Sequence, residues 1–369
     1  MYKKVMSSGD LAAAQIHAFM KKAPLPEAEK CVVDANLQGA NETENRQLAY
    51  IINEMCKSEA GREVIQTALK NDFQFIFDRS MPNVYGYADP ENKLCAMNPA
   101  FTVEDLIATM AHELRHVKQF DEPIVQECGD LTKVDANTYY KCLRAMEADA
   151  SAQECLVSWQ LKEQGLPGAW NNFERDFPEL AEPFKAEMAN SKGPDDIETL
   201  KKARTAVFLG WYENGPRRDG YDTDYAQMMA QAAGTGELLE VLPPELKQAN
   251  AADMVPAICQ ENGNVYFAKD PAMLDTEHYT GVSATTKMWL EYAFTKYEAV
   301  HGEGSSHVGE IPVIDLSRNS ARPRALSAEA RTAALDVKQE YAANVIHSST
   351  ARRDVAPMMV KHLLAARNR

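Results

Sequence analysis

One stretch restricts this chain more than any other: Ala111-His112-Glu113-Leu114-Arg115-His116-Val117-Lys118-Gln119, a His-Glu-x-x-His pattern in a segment with helical period. Ile107, Met110, Ala111 and Leu114 recur at three- and four-residue spacing, so one face of the segment must be buried. Thr102, with Asp105 three residues later, provides a capped start. On such a helix residues four apart lie about 40° apart around the axis, so His112 and His116 present two imidazoles to one point. Glu113 is rotated by about 100° from His112. That places its carboxylate poorly for joining the same coordination sphere and well for taking a proton from a water held there. The fold therefore has to bury this helix on one side and leave a polar space on the other. Two imidazoles with an adjacent base point to Zn2+ and to hydrolysis.

A catalytic zinc usually keeps three protein ligands and one open position, so a third ligand is expected downstream. Glu147 is the leading candidate, in Arg144-Ala145-Met146-Glu147-Ala148-Asp149-Ala150-Ser151-Ala152. Ala148, Ala150 and Ala152 keep that helix thin enough to approach the first closely. Asp149 competes for the role, but residues two apart diverge by about 200°, so only one of the two can face the metal. Leu143, Arg144, Ala150, Ser151 and Glu154 share the side of Glu147, a mixed polar wall suited to a cleft. Cys142, Ala145, Ala152 and Leu156 lie nearer Asp149 and read as core, which would leave that carboxylate needing a hydrogen-bond partner. Glu147 also has the longer reach. Asp149 is then expected to act from behind the ligands or structurally.

At these two motifs the chain resembles the Glu-zincin metallopeptidases. Glu-Ala-Asp-Ala after His-Glu-Leu-Arg-His is similar to a bacterial family of uncharacterised metallopeptidase domains, the likeness covering about residues 58 to 235. The resemblance implies an α+β, mostly helical fold, with a small mixed or antiparallel sheet packed on the His112 helix and a helical C-terminal half. It also implies a zinc-dependent peptidase in which His112, His116 and Glu147 hold the metal and Glu113 is the general base. Its partner would be a peptide or protein substrate, pairing with an exposed edge strand that Lys93 to Met97 would provide. The alternative is a catalytically silent metal-binding scaffold, a structural or effector-like interaction protein; the presence of Glu113 argues against it, because a purely structural site needs no base. In the best-known Glu-zincins an Asp four residues after the ligand Glu orients a ligand His; here that position is Ser151. The orienting role is left to Ser151, Glu154 or Asp149. Trp211 and Tyr221 would wall the cleft or, as their size favours, pack in the core. Tyr221, His278 and His301 are candidates by residue type for stabilising an oxyanion.

The remainder of the chain narrows the context. A net charge of −15 argues against a nucleic-acid-binding body. No stretch approaches the roughly 20 apolar residues of a membrane span. The first residues do not read as a cleavable signal peptide, and seven Cys without a Cys-x-x-Cys pair read as reduced thiols, so a cytoplasmic location is expected. Helices are expected over Leu11–Met20, Asn45–Met55 and Arg62–Leu69. Phe73–Asp78, Val84–Ala88 and Lys93–Met97 should form a small meander, followed after His116 by an irregular stretch from Phe120 to Asn137 and a long helix over Thr138–Gln164. Four regions result: an N-terminal helical segment (1–57), a zincin-like core (58–190), a helical region completing or flanking the cleft (191–300), and a linker with a basic helical tail (301–369). From Arg318 to the end, 10 Lys or Arg stand against 4 Asp or Glu, so the first 317 residues carry −21.

Overall fold

The computed structural model describes residues 35–81, 84–130, 133–193, 196–235, 246–261, 263–302 and 311–316. The helix expected over Leu11–Met20 and the basic tail lie outside the described residues. The described chain opens with a short strand, β1 (Asn36–Leu37), and two helices, α1 (Glu42–Met55) and α2 (Glu59–Lys70). Each helix starts where a side chain can satisfy a free amide: Asn41 accepts from the Glu44 N–H and Ser58 from the Gly61 N–H. Leu48, Ile51, Ile52 and Met55 on α1, and Val64, Ile65 and Ala68 on α2, supply the buried stripes.

Three further strands, β2 (Gln74–Phe77), β3 (Gly86–Asp89) and β4 (Leu94–Met97), complete a four-stranded sheet of order β1-β2-β4-β3. β1, β2 and β4 are parallel, and β3 is antiparallel to β4. This corrects two expectations. The strands form no meander, and Lys93–Met97 is not the edge; β4 is interior and β3 takes the edge. The burial of Cys95, Ala96 and Met97 in a row, without alternation, is what an interior strand shows. Alternation identified the strands but carried no information about their spatial order. The Asp89 side chain accepts the Glu91 and Asn92 amides and so builds the β3–β4 turn.

The His-Glu-x-x-His segment is helix α3 (Val103–Phe120), begun by a capping box in which Thr102 and Asp105 bond each other's amides. Part of the stretch expected to be irregular forms a short helix, α4 (Pro123–Cys128). α5 (Ala136–Glu163) follows, capped by Asp135, then α6 (Gly168–Asp176), α7 (Pro178–Met188), α8 (Ile197–Glu213) and α9 (Gly215–Thr235). Between α8 and α9 only Asn214 intervenes, and Pro216 fits the first turn of the new helix, where no amide is needed. α10 (Ala251–Ile258), a hairpin of β5 (Gln260–Glu261) and β6 (Asn264–Val265), a short α11 (Glu277–Thr280) and α12 (Ala284–His301), capped by Ser283, finish the described chain.

Two apolar cores share α5. Leu156, Val157 and Leu161 join the sheet, α1, α2 and α3 around Phe75, Met97 and Met110. Cys142, Leu143, Met146 and Ala148 join the later helices around Trp170, Phe208, Trp211 and Met254. From Cys142 to Ser158 every residue of α5 is buried except Glu154. A helix enclosed on all sides needs small residues, which the alanines supply, and the one opening at Glu154 marks the cleft. No helix among the described residues is long and apolar enough to cross a membrane.

Candidate metal centre

α3 and α5 bring together three donors that the sequence holds far apart. One ligand atom each from His112, His116 and Glu147 lies within 4.8 Å of the other two. His112 Nε2 is 3.3 Å from Glu147 Oε2, and His116 Nε2 is 3.8 Å from Glu147 Oε1. Both imidazoles thus turn the same nitrogen toward one carboxylate.

Their other nitrogens are held from behind. His116 Nδ1 meets Gln119 Oε1 at 2.7 Å. The Gln119 amide cannot be flipped without loss, because its Nε2 donates to the Met146 carbonyl at 3.0 Å and to Asp149 Oδ2 at 2.7 Å. With the amide oxygen so fixed, Nδ1 is the nitrogen that donates to Gln119, and Nε2 is left facing Glu147. His112 Nδ1 lies 3.4 Å from Glu154 Oε2. Of the three residues considered for orienting a histidine, Glu154 meets His112 and Asp149 reaches His116 through Gln119, while Ser151 is buried on α5 between Glu147 and Glu154.

Asp149 is fully buried and does not join the donors. It accepts from Arg115 Nε at 2.6 Å and Nη2 at 3.0 Å, from Gln119, and from the Tyr266 hydroxyl at 2.6 Å. The Arg115 fork satisfies the carboxylate that the sequence left in need of a partner.

The electrostatics suit a cation. Glu113, Glu147 and Glu154 surround two imidazoles. Burial pushes the Glu147 carboxyl up, but His112, His116 and the Tyr225 hydroxyl outweigh it and hold it at about 2. Burial disfavours a charged His112, yet Glu147, Glu154 and Glu113 raise its pKa well above the ordinary value. Glu147 Oε2 is buried and faces His112 Nε2 at 3.3 Å without a well-aligned hydrogen bond, so its lone pairs are left for another partner. Two imidazole nitrogens aimed at one ionised carboxylate fit a divalent metal with borderline-soft preferences.

Glu113 is half-buried and outside the donor group. Burial and the Glu147 charge raise its carboxyl above the usual range against the pull of His112, His116 and the nearby Ala88 backbone N–H of edge strand β3.

α9 supplies two tyrosines one turn apart. Tyr225, which sequence reasoning missed, donates to Glu147 Oε1 at 2.7 Å. Tyr221 is half-buried between Trp211 and Tyr225, with ring centroids 5.6 and 6.3 Å away. Burial and then the charges of Glu147, Glu113 and Glu154 raise its hydroxyl. Trp211 is fully buried core. His278 pairs with Glu213 and His301 stacks on Tyr297, so neither joins this cluster.

A family model described as "Putative metallopeptidase family (DUF6782)" matches residues 25–266, a span that contains all three donors and Glu113. No curated protein and no solved structure matches.

Proposed function

The chain belongs to that putative metallopeptidase family, and from this premise we propose that it is a zinc-dependent peptidase. His112, His116 and Glu147 hold the zinc, and Glu113 is the general base. The observation that supports this most is the pair of imidazoles whose Nε2 atoms face Glu147 while their Nδ1 atoms are occupied by Gln119 and Glu154. Bound zinc supplies Lewis acidity, which can bring the pKa of a water from about 15.7 toward 7 and polarise a scissile carbonyl. Glu113 takes the proton from the attacking water at its carboxylate and returns it to the leaving amine nitrogen. The Tyr221 hydroxyl, the one of the three sequence candidates exposed to the charges of Glu113 and Glu147, donates to the oxygen on which charge develops.

Elemental analysis of protein purified without added metal should find one zinc per chain. Glu113→Gln should keep that zinc and lose hydrolysis of a quenched fluorescent peptide library, and full peptidase activity in the variant would sink the mechanism. Tyr221→Phe should lower kcat by about 10- to 100-fold, the range of one lost oxyanion donor at its modest end, at unchanged zinc content.

A further inference from the structure

Strand β3 packs along α3 on the way from the three donors toward the start of that helix. The Ala88 N–H lies near enough to Glu113 to act on its carboxyl, and a Cβ added to Gly86 would stand 3.0 Å from Thr109 Cγ2. Edge strand β3 therefore crosses α3 with its start directed toward the N-terminus of that helix. One residue before β3 stands Tyr85, whose carbonyl still accepts the Asn98 N–H at 2.8 Å. Its ring is stacked on Phe101, with centroids 3.8 Å apart and planes 21° from parallel, yet 41% of Tyr85 is exposed. Phe101 covers one face of the tyrosine, so a flat ligand group would stack on the exposed remainder.

Negative charge surrounds the stack. After burial, the groups acting on the Tyr85 hydroxyl are the carboxylates of Asp105, Asp176 and Glu154, opposed by Arg175. Arg175 is already engaged: its Nε and Nη2 fork onto Asp176 at 2.7 Å each. These four side chains sum to −2. Glu154 also ties the stack to the metal centre through His112. From Ala88 to Tyr85 is three strand residues, about 10 Å. From Glu113 back to Asp105 is eight helical residues, about 12 Å. Both paths put the stack two to four residues along an extended peptide from the position Glu113 serves.

We infer that the Tyr85–Phe101 stack is a substrate subsite that selects a cationic side chain, arginine above all, two to four residues from the scissile bond. The inference rests on the peptidase reading for its substrate. Arginine combines a planar face that stacks on an aromatic ring with a charge that cannot be titrated away. The surrounding carboxylates favour that charge over a neutral or acidic residue.

The test compares peptides that differ only in arginine or citrulline at each position two to four residues from the cleaved bond. Citrulline keeps the shape and removes the charge. At one position the wild-type kcat/KM should favour arginine by roughly tenfold, about what an exposed cation–π contact with carboxylate support supplies. The ratio should fall as salt rises and collapse toward one in Tyr85→Leu and in Asp176→Asn, with zinc content unchanged. The same pairs are titrated calorimetrically onto zinc-loaded Glu113→Gln protein, with and without Tyr85→Leu, which reads binding independently of turnover. Equal affinity for arginine and citrulline peptides, or a preference that survives Tyr85→Leu, overturns the subsite. A Tyr85-dependent arginine preference in binding, with no cleavage by the wild type, upholds the subsite and overturns the peptidase reading instead.

Discussion

Gln119 stands one turn beyond His116 and converts a buried salt bridge into control over a proposed ligand. Its Oε1 faces His116 Nδ1 only because Asp149 and the Met146 carbonyl claim its Nε2, and Asp149 is in place only because Arg115 grips it. Gln119→Leu keeps the volume and removes both bonds, so zinc affinity should fall by about 10- to 100-fold, as outer-sphere changes do. Glu147→Ala should lose zinc far more severely, since it deletes a proposed ligand. Asp149→Ala should resemble Gln119→Leu in zinc titration but in addition cost about 3–5 kcal/mol of stability, because it strands Arg115 as a buried unpaired charge. A zinc titration that ranked Asp149→Ala below Glu147→Ala would move the ligand to Asp149.

The elements differ in how plainly the sequence announced them. α3 was legible from its three-four apolar spacing and from Thr102 and Asp105, which form the cap that the pattern predicts. Glu154 was partly legible, two turns from Glu147 on the same face, though helical spacing alone could not choose it over Ser151 or Asp149. Gln119, at three residues from His116, was within reach of the same reasoning and was overlooked. Tyr225 was out of reach, because nothing local to α9 says that it packs against α5. The sheet order was illegible for a related reason: β2 reaches β4 across the intervening β3, and pairing between distant strands leaves no periodic trace. The α1–α2 corner is a further point where structure adds a requirement. A Cβ on Gly61 would lie 2.2 Å from the Met55 carbonyl oxygen, a backbone atom that cannot swing aside. Gly61→Ala should therefore destabilise by about 2 kcal/mol or more, the cost of overpacking a buried corner. A denaturant titration checks this, and a wild-type midpoint in the variant would show that the corner can relax.

At the scale of the whole molecule, the metal helices are joined to the later half of the chain by a buried charge network. Arg115 on α3 reaches Asp149 on α5 and Glu261 on the β5–β6 hairpin; Arg204 on α8 grips Glu261 at 2.6 Å and lies 3.7 Å from the centre of the Tyr266 ring. Glu261 is the member that acid can switch. Burial pushes its carboxyl up, but Arg204, Arg115 and Lys118 pull it further down, to about 2 from an ordinary 4.5. A carboxyl depressed by folding stabilises the folded state above its unfolded pKa, and that stability disappears as pH falls through the folded pKa. The window here runs from about 4.5 down to 2, and the depression corresponds to about 3 kcal/mol at neutral pH. Glu261→Gln removes the titrating group and leaves Arg204 less well paired, so the variant should be less stable than wild type by about that amount at pH 7. The difference should shrink steadily between pH 4.5 and pH 2, where the wild-type carboxylate is itself protonated. Urea titrations of both proteins at matched pH values measure the gap directly, and effects common to both, including loss of metal in acid, cancel in the comparison. A gap that stayed constant from pH 7 to pH 2.5 would mean that Glu261 is not the group through which acid loosens the junction between the two halves.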